Sequence, residues 1–359
     1  MSHREASPTT QPGFELTASV HFPAWIGDLG SSIVFTTYQT GKLFFIGLQP
    51  NGRLSIFERT LERVMGLHAT ASSLYLSTLY QVWRFENALG PGETFNGYDA
   101  VYTPRVSHVT GELDIHDIAV DADGRTVFSN TLFNCVATLD PHHSFRPLWR
   151  PSWISMLVPE DRCHLNGLAL RDGQLRYVTT VSRSDVTDGW RDKRRAGGVV
   201  IDVETGEVVC EGLSMPHSPR WHRDTLYLID SGSGFLGRVD LENRRFERLV
   251  FCPGFARGLA FSGHWALIGL SDRRENRTFQ DLELEQNLKT HDTETRAGIL
   301  VVDLRDFSTP HWLRLSGVVR ELYDVAVLEG VVRPMAVGFR TDEIRRYLSF
   351  PRAGPGATG

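Results

Sequence analysis

Short apolar runs rich in Val, Ile, Leu, Phe and Tyr recur from one end of the chain to the other, each bounded by Gly, Asp, Asn, Ser or Pro. Examples are SIVFTTY (32–38), KLFFIGLQ (42–49), SLYLSTL (73–79), LRYVTTVS (175–182), TLYLID (225–230) and GILVVDL (298–304). Runs of this kind, closed by turn formers, read as strands, and apolar positions at helical spacing are scarce. The pattern predicts an all-β protein.

The strands fall into repeating groups. A small or polar pair followed by an apolar run opens a segment at MGLHAT (65), HDIAVD (116), NGLALR (166), SPRWHR (218), RGLAFS (257) and YDVAVL (323). Each opening is followed by a short turn, a second strand, and a third with an apolar and acidic ending such as VATLD, VVIDV, GRVDL or LVVDL. A period of about 50 residues with about four strands per unit is the mark of a β-propeller. The expectation is a single propeller of four-stranded blades over 14–350, with seven blades as the count and six as the alternative. The N-terminal block SIVFTTYQTGKLFFIGLQPNGRLSIFER supplies three strands but no clear first one, unless FPAWIGDLG serves in degenerate or helical form. A strand from FELTASV (14–20) is expected to complete the C-terminal unit and close the ring, removing exposed sheet edges. Residues 1–13 and 351–359 read as disordered ends.

Composition narrows the function classes. The 359 residues carry a net charge of -5, with 38 Lys plus Arg against 43 Asp plus Glu. No basic field attracts nucleic acid or an anionic membrane surface. Cys135, Cys163, Cys210 and Cys252 are far apart with no C-x-x-C pair, so they read as buried, reduced thiols. No apolar stretch has the length of a membrane-spanning helix or the form of a signal peptide, and a cytoplasmic location is expected.

Connectivity sorts the polar residues. In an antiparallel four-stranded blade, the start of the innermost strand lies on the same side as the loop between the second and third strands. One channel mouth should therefore gather Met65-Gly66, His116-Asp117, His164 with Asn166-Gly167, His217-Ser218, Arg257-Gly258 and Tyr323-Asp324. Over it should stand the loops bearing Tyr38 and Gln39, Asn130, the 183–197 loop with Trp190 and Arg191, and the charged 272–296 insertion. Long insertions above a ring of polar residues indicate a covered site.

His116, His164 and His217 come from successive blades and could bring three imidazoles to one divalent metal ion, with Asp117 or Asn166 completing the shell. The alternative is that they hydrogen-bond backbone at blade junctions. Arg220 and Arg257 offer two-donor forks for a carboxylate or phosphate, or ion pairs with Asp117, Asp324 or Glu321. Tyr323 and Asp324 suit acid–base work, or a structural bond between blades. Trp190 and Arg191 suit stacking on a ligand, or anchoring of their own loop. Cys163, beside His164, points to the opposite face of the strand.

At NGLALRDGQLRYVT and HDIAVDADGRTVFSN the chain resembles the six-bladed propellers of the gluconolactonase, regucalcin and strictosidine-synthase type. In the lactonases an Asn-Gly-Leu-Ala strand start supplies one ligand of a central divalent cation, and the matching residue is Asn166. Ser218-Pro219 stands where that family's metal-binding Asp-Gly would. Over nearly its whole length, through TTYQTGKLFFIG, PEDRCHLNGLALRDG, GWRDKRRAGGVVIDVETGEVV, LSMPHSPRW and PGFARGLAF, the chain is similar to a family of conserved hypothetical bacterial proteins with no assigned reaction.

Two functions are expected from these residues. One is an enzyme of hydrolase or lyase type acting on a small polar or anionic molecule at the axial mouth. His116, Asp117, Asn166, Tyr323 and Asp324 would be its reactive groups, and Tyr38, Gln39, Asn130, Trp190, Arg191, Arg220 and Arg257 its substrate contacts. The other is a non-catalytic propeller whose loops, above all 272–296, bind a peptide or protein partner. Fold alone does not choose between them.

Overall fold

The polar pairs singled out in the sequence open the innermost strands of six sheets in a computed structural model that describes residues 13–272, 280–340 and 342–350. The inner strands are Leu67–Ala69, Ile115–Val120, Leu165–Arg171, Pro216–His222, Phe255–Ser262 and Val325–Glu329. Each packs beside the next, and Val325–Glu329 packs beside both Phe255–Ser262 and Leu67–Ala69, which closes the circle. The molecule is a β-propeller of six blades, not seven. The segments read as disordered, and residues 273–279 of the long insertion, lie outside the described residues.

The miscount has a specific cause. The N-terminal strands Ser31–Thr37, Lys42–Leu48 and Leu54–Thr60 and the C-terminal segment were read as parts of two blades, yet they form one: Val325–Glu329 pairs antiparallel with Ser31–Thr37 as its inner strand. This is blade 1, and blades 2 to 6 follow in chain order. Phe14–Ala18 does not complete the C-terminal unit. It pairs with His311–Gly317 as a fifth strand on the outer edge of blade 6. Pro334–Ala336 likewise adds a parallel strand outside Ala100–Val109 of blade 2. Both additions cover strand edges that would otherwise be open. FPAWIGDL forms helix α1 (Phe22–Leu29), started by a proline in its first turn and ended by Gly30 in the left-handed region. Its buried Phe22, Trp25 and Ile26 fill the junction of blades 6 and 1.

The core lies between blades. Alternating side chains of neighbouring sheets interdigitate, as with Val127, Val136, Leu168, Val178, Val199 and Ile201 between blades 3 and 4. All four cysteines are free and buried in these layers, where desolvation raises their thiol pKa values.

Near the axis the second members of the polar pairs alternate around the ring: Asp324, Gly66, Asp117, Gly167, Ser218 and Gly258. The polar ones reach forward to the following blade. Asp324 Oδ2 accepts from Leu67 N at 2.9 Å, Asp117 Oδ2 from Leu168 N at 3.1 Å, and Ser218 Oγ from Gly258 N at 3.0 Å. The glycines permit close contact with the blade beyond: a Cβ on Gly258, at φ +73°, would lie 2.8 Å from Asp324 Cα. A second set of bonds runs from hydroxyls at the ends of second strands to the next blade's inner carbonyls. These are Thr36 to Met65 O (2.5 Å), Ser77 to Ile115 O (3.0 Å), Thr131 to Leu165 O (2.6 Å), Ser231 to Ala256 O (2.6 Å) and Ser271 to Leu322 O (3.0 Å). The blades are thus joined by directed bonds as well as by apolar packing.

Gly258→Ala is expected to cost about 2–4 kcal/mol, combining a left-handed backbone with a clash against blade 1. Gly330→Ala, also at positive φ but with open space around it, should cost about 1–2 kcal/mol, the conformational part alone. Urea unfolding of both variants checks the difference; equal losses would mean that the blade 6–blade 1 contact contributes nothing.

Candidate functional site

A salt-bridged belt crosses the channel. Arg220 of blade 5 is bidentate to Asp117 of blade 3, at 2.7 Å and 3.0 Å, and its second nitrogen lies 3.8 Å from Asp324 of blade 1. Arg220 also donates to Leu168 O and Pro219 O. Asp117 Oδ1 accepts from Ile118 N, and Asp324 Oδ1 from Val325 N. Arg220, expected among the substrate contacts, is therefore engaged in a structural pair, and Asp117 and Asp324 hold the blades together. Burial raises the Asp324 carboxyl to about 7; Arg220 opposes this and the neighbouring Asp117 charge adds to it. On one side of the belt is a mainly apolar funnel of about 360 Å³ lined by His68, Leu170, Trp221, Phe261 and their neighbours. On the other is the polar mouth.

The first members of the polar pairs face this mouth: Tyr323, Met65, His116, Asn166, His217 and Arg257. Two residues before each, in chain order, stand Glu321, Arg63, Asp114, His164, Met215 and Phe255. The three histidines are therefore not at equivalent positions: His116 and His217 belong to the inner set, and His164 occupies the place that Asp114 and Met215 take in their blades. His164 adopts φ +53°, and Arg63 (φ +48°), Asp114 (φ +54°) and Met215 (φ +49°) are likewise left-handed, a kink that Phe255 and Glu321 do not share.

Each imidazole has its Nδ1 against an oxygen that can only accept a proton. His116 Nδ1 lies 2.8 Å from Asp114 O, His217 Nδ1 2.8 Å from Met215 O, and His164 Nδ1 2.8 Å from Asp161 Oδ2. In the neutral rings Nδ1 carries the proton, and Nε2 is left with its lone pair. The His217 Nε2 and Tyr323 hydroxyl are buried with no hydrogen-bond partner among the described residues, as is the Asn166 amide nitrogen. His116 and His164 meet edge to face at 4.8 Å, and the His116 ring lies 5.6 Å from Tyr323.

Burial keeps the His116 and His217 rings neutral. Burial lowers His116 to about 4, against the pull of Asp114, and nearby His164 and Arg257 lower it further. Burial, then the Arg257 cation, drives His217 well below the usual histidine value. Arg257 is 6% exposed and lies 5.0 Å from the Phe255 ring centre and 5.1 Å from that of Tyr323. Burial raises the Tyr323 phenol well above its usual value, with Arg257 opposing. Asp114, which burial would raise, is pulled below the carboxylate norm by His116, Arg63 and His164.

The roof is built from the long loops. Trp190 is buried, stacks on His164 at 4.2 Å and donates its indole N–H to Asp161 at 2.8 Å. It anchors its loop and holds the His164–Asp161 pair. Arg191 lies over the outer face of Trp190 and pairs with Asp188. Tyr38 packs on Tyr323 at 5.6 Å, and Gln39 N donates to Glu321 at 2.7 Å. Asn130 is fully buried and accepts from Phe133 N. In the insertion, helix α2 (Glu283–Thr290) docks through Leu284 N to Gly232 O and Asn287 to Ser233 O. Sequence reading missed Asp114 and Asp161, and had Glu321 only as an ion-pair partner for Arg220 or Arg257. Their signal was a carboxylate two or three positions ahead of a singled-out residue, in DIH, DRCH and ELY.

Among the described residues no three His, Cys, Asp or Glu side chains are grouped to hold an ion. Asn166, the match to a lactonase ligand, has its carbonyl oxygen occupied by Thr179 at 2.9 Å.

The fold defines the class: a six-bladed propeller with a cluster of buried polar residues at one mouth of its axis. A family model described as a domain of unknown function, DUF4915, matches residues 20–337, and the chain belongs to that family. No curated protein matches it in sequence. Among solved structures it is similar to a chain of a nidogen/laminin complex, at 14% identity over 84% of this chain and 99% of that one, with a TM-score of 0.51. It is also similar to virginiamycin B lyase from Staphylococcus aureus, at 11% identity over 85% and 99% of the two chains, TM-score 0.39. A protein of unknown function from Bacteroides caccae gives 11% identity over 83% and 98%, TM-score 0.48. At these identities the likeness concerns the fold alone.

The depressed histidines set a pH dependence. A buried His116 with a folded pKa of about 4 takes up its proton later than the unfolded chain, near 6.5, as pH falls. Its contribution is intact above pH 6.5 and is lost between 6.5 and 4, at about 1.4 kcal/mol per pH unit. Asp324, raised to about 7, acts in the opposite sense, its contribution being lost as pH rises from 3.8 through 7. The measurement is therefore a difference: unfolding free energy of wild type minus His116→Gln, from pH 7 to pH 4.5. It should shrink steadily with falling pH; a constant difference would mean that His116 is protonated equally in both states.

Proposed function

We propose that the axial chamber binds a small anionic molecule and carries out proton transfer on it, with His217 and His116 as bases, Tyr323 as the acid opposite and Arg257 as the anion contact. The observation that carries this reading is the fixed tautomer of two buried, neutral imidazoles. Each donates Nδ1–H to a backbone carbonyl and presents an Nε2 lone pair in a chamber whose nearest cation is Arg257. A base held neutral needs no deprotonation before it acts, and a second-side bond that fixes its orientation is the usual arrangement for general bases. Tyr323, buried with an unpartnered hydroxyl, is protonated and able to donate. A carboxylate beside Arg257 would have its charge balanced where water is largely excluded. Elimination and hydrolysis both fit this set, since each needs one proton removed and one delivered. Asp161 and Trp190 would orient His164 at the rim.

The reading is tested by calorimetric titration of small mono- and dicarboxylates, followed by NMR turnover assays on those that bind. At least one should bind to wild type, with affinity reduced about tenfold or more in Arg257→Met. His217→Gln should keep binding within about threefold and lose about a hundredfold or more in turnover. Affinity indifferent to Arg257, or turnover indifferent to both His217→Gln and His116→Gln, would overturn it.

A further inference from the structure

At the outer strands of blade 6 two arginines, Arg314 on His311–Gly317 and Arg296 just before Ala297–Asp303, stand side by side with no carboxylate partner among the described residues. Arg314 pairs across the sheet with Gly298, and Arg296 is two residues before that glycine, so both side chains project from the same face at diagonal positions. Gly298 keeps the ground between them clear. A Cβ there would lie 1.9 Å from Leu313 O, so the position cannot carry a side chain.

Like charges at this spacing repel, and the cost is visible: burial, then the Arg314 cation, lowers the Arg296 pKa. Neither guanidinium makes an ion pair among the described residues. Arg296 donates to the Thr293 hydroxyl at 3.2 Å, Arg314 lies 4.7 Å over the Trp312 ring, and Arg314 Nε is buried without a partner. Thr17, opposite Arg314 on the edge strand, is neutral, and Glu15 farther along that strand shares the face but makes no ion pair. Both arginines line two adjoining cavities. One, of about 1060 Å³, runs beneath α2 toward Phe255; the other, of about 240 Å³, has an apolar wall of Leu270, Ile299 and Leu313.

We propose that Arg296 and Arg314 form a phosphate site, with the two guanidinium forks clasping the oxygens of a phosphorylated small molecule whose body lies along the groove under α2. Phosphate fits better than a single carboxylate because a dianion offsets both charges and its additional oxygens let each fork take its own pair. The acidic residues of the larger cavity, Asp272, Glu285, Asp292 and Glu294, line its other parts and favour a body that carries hydroxyl or amino groups. The site does not depend on the chemistry of the axial chamber.

The test measures thermal unfolding and isothermal titration with inorganic phosphate and pyrophosphate, against sodium chloride at equal ionic strength. Wild type should be stabilised by both anions, more by pyrophosphate. Arg314→Gln and Arg296→Gln should each lower affinity about tenfold or more, while Arg314→Gln raises the melting temperature without phosphate by relieving the repulsion. Arg314→Lys, which keeps the charge and loses the fork, should bind more weakly than wild type and guards against a folding defect in the glutamine variant. Arg257→Met, which addresses the axial chamber, should retain the full response. The proposal is overturned if phosphate does no more than chloride, if Arg314→Gln keeps the wild-type affinity, or if the response disappears in Arg257→Met instead.

Discussion

The centre of the molecule depends on one guanidinium. Arg220 joins blade 5 to the Asp117 carboxylate of blade 3 and lies near Asp324 of blade 1, while the two carboxylates hold the first amides of blades 4 and 2. Burying three ionisable groups on an axis is costly, and the cost is offset only because nearly every oxygen and N–H has a partner. Removing Arg220 would leave two buried carboxylates without their cation where all six sheets converge. The belt lies across the axis, with the polar mouth on one side and the funnel on the other.

That division explains the electrostatics of the chamber. With the carboxylates of the belt committed to Arg220 and to backbone amides, burial does most to lower His217, and Arg257 is the leading charge that adds to it. His116 differs because Asp114 sits behind it, but Asp114 is itself bound to Arg63, and the desolvation of the ring prevails. Two imidazoles from non-adjacent blades thus reach the same protonation state by different routes. The outer position, where His164 meets Asp161 and Trp190, is tied to the loops.

Much of this was readable in the amino-acid order. The polar pair at the head of each repeat named the inner strands, and connectivity put His116, His217, Arg257 and Tyr323 at one mouth. The blade count was not readable, because Val325–Glu329 has the same apolar pattern whether it begins a new sheet or completes the first one; only pairing with Ser31–Thr37 decides. FELTASV reads as an edge strand in either place, and its partner is set by where α1 seats Phe22 and Trp25. The equivalence of the three histidines was not readable for a local reason: His164 precedes Asn166 by two residues, and a left-handed residue there sets it outside the inner set. Arg220 could be named as a fork but not assigned to Asp117, because that bond spans two blades.

The pairing that closes the ring also orders events during synthesis. Blade 1 emerges first but lacks its inner strand until Val325–Glu329 has left the ribosome, nearly a whole chain later. Until then Ser31–Thr37 presents an unpaired strand edge, and five complete sheets can pack around a gap without a seal. A protein with this arrangement completes its axis in one late step: Tyr323, which belongs to the polar mouth, and Asp324, which joins the belt, arrive on the segment that shuts the circle.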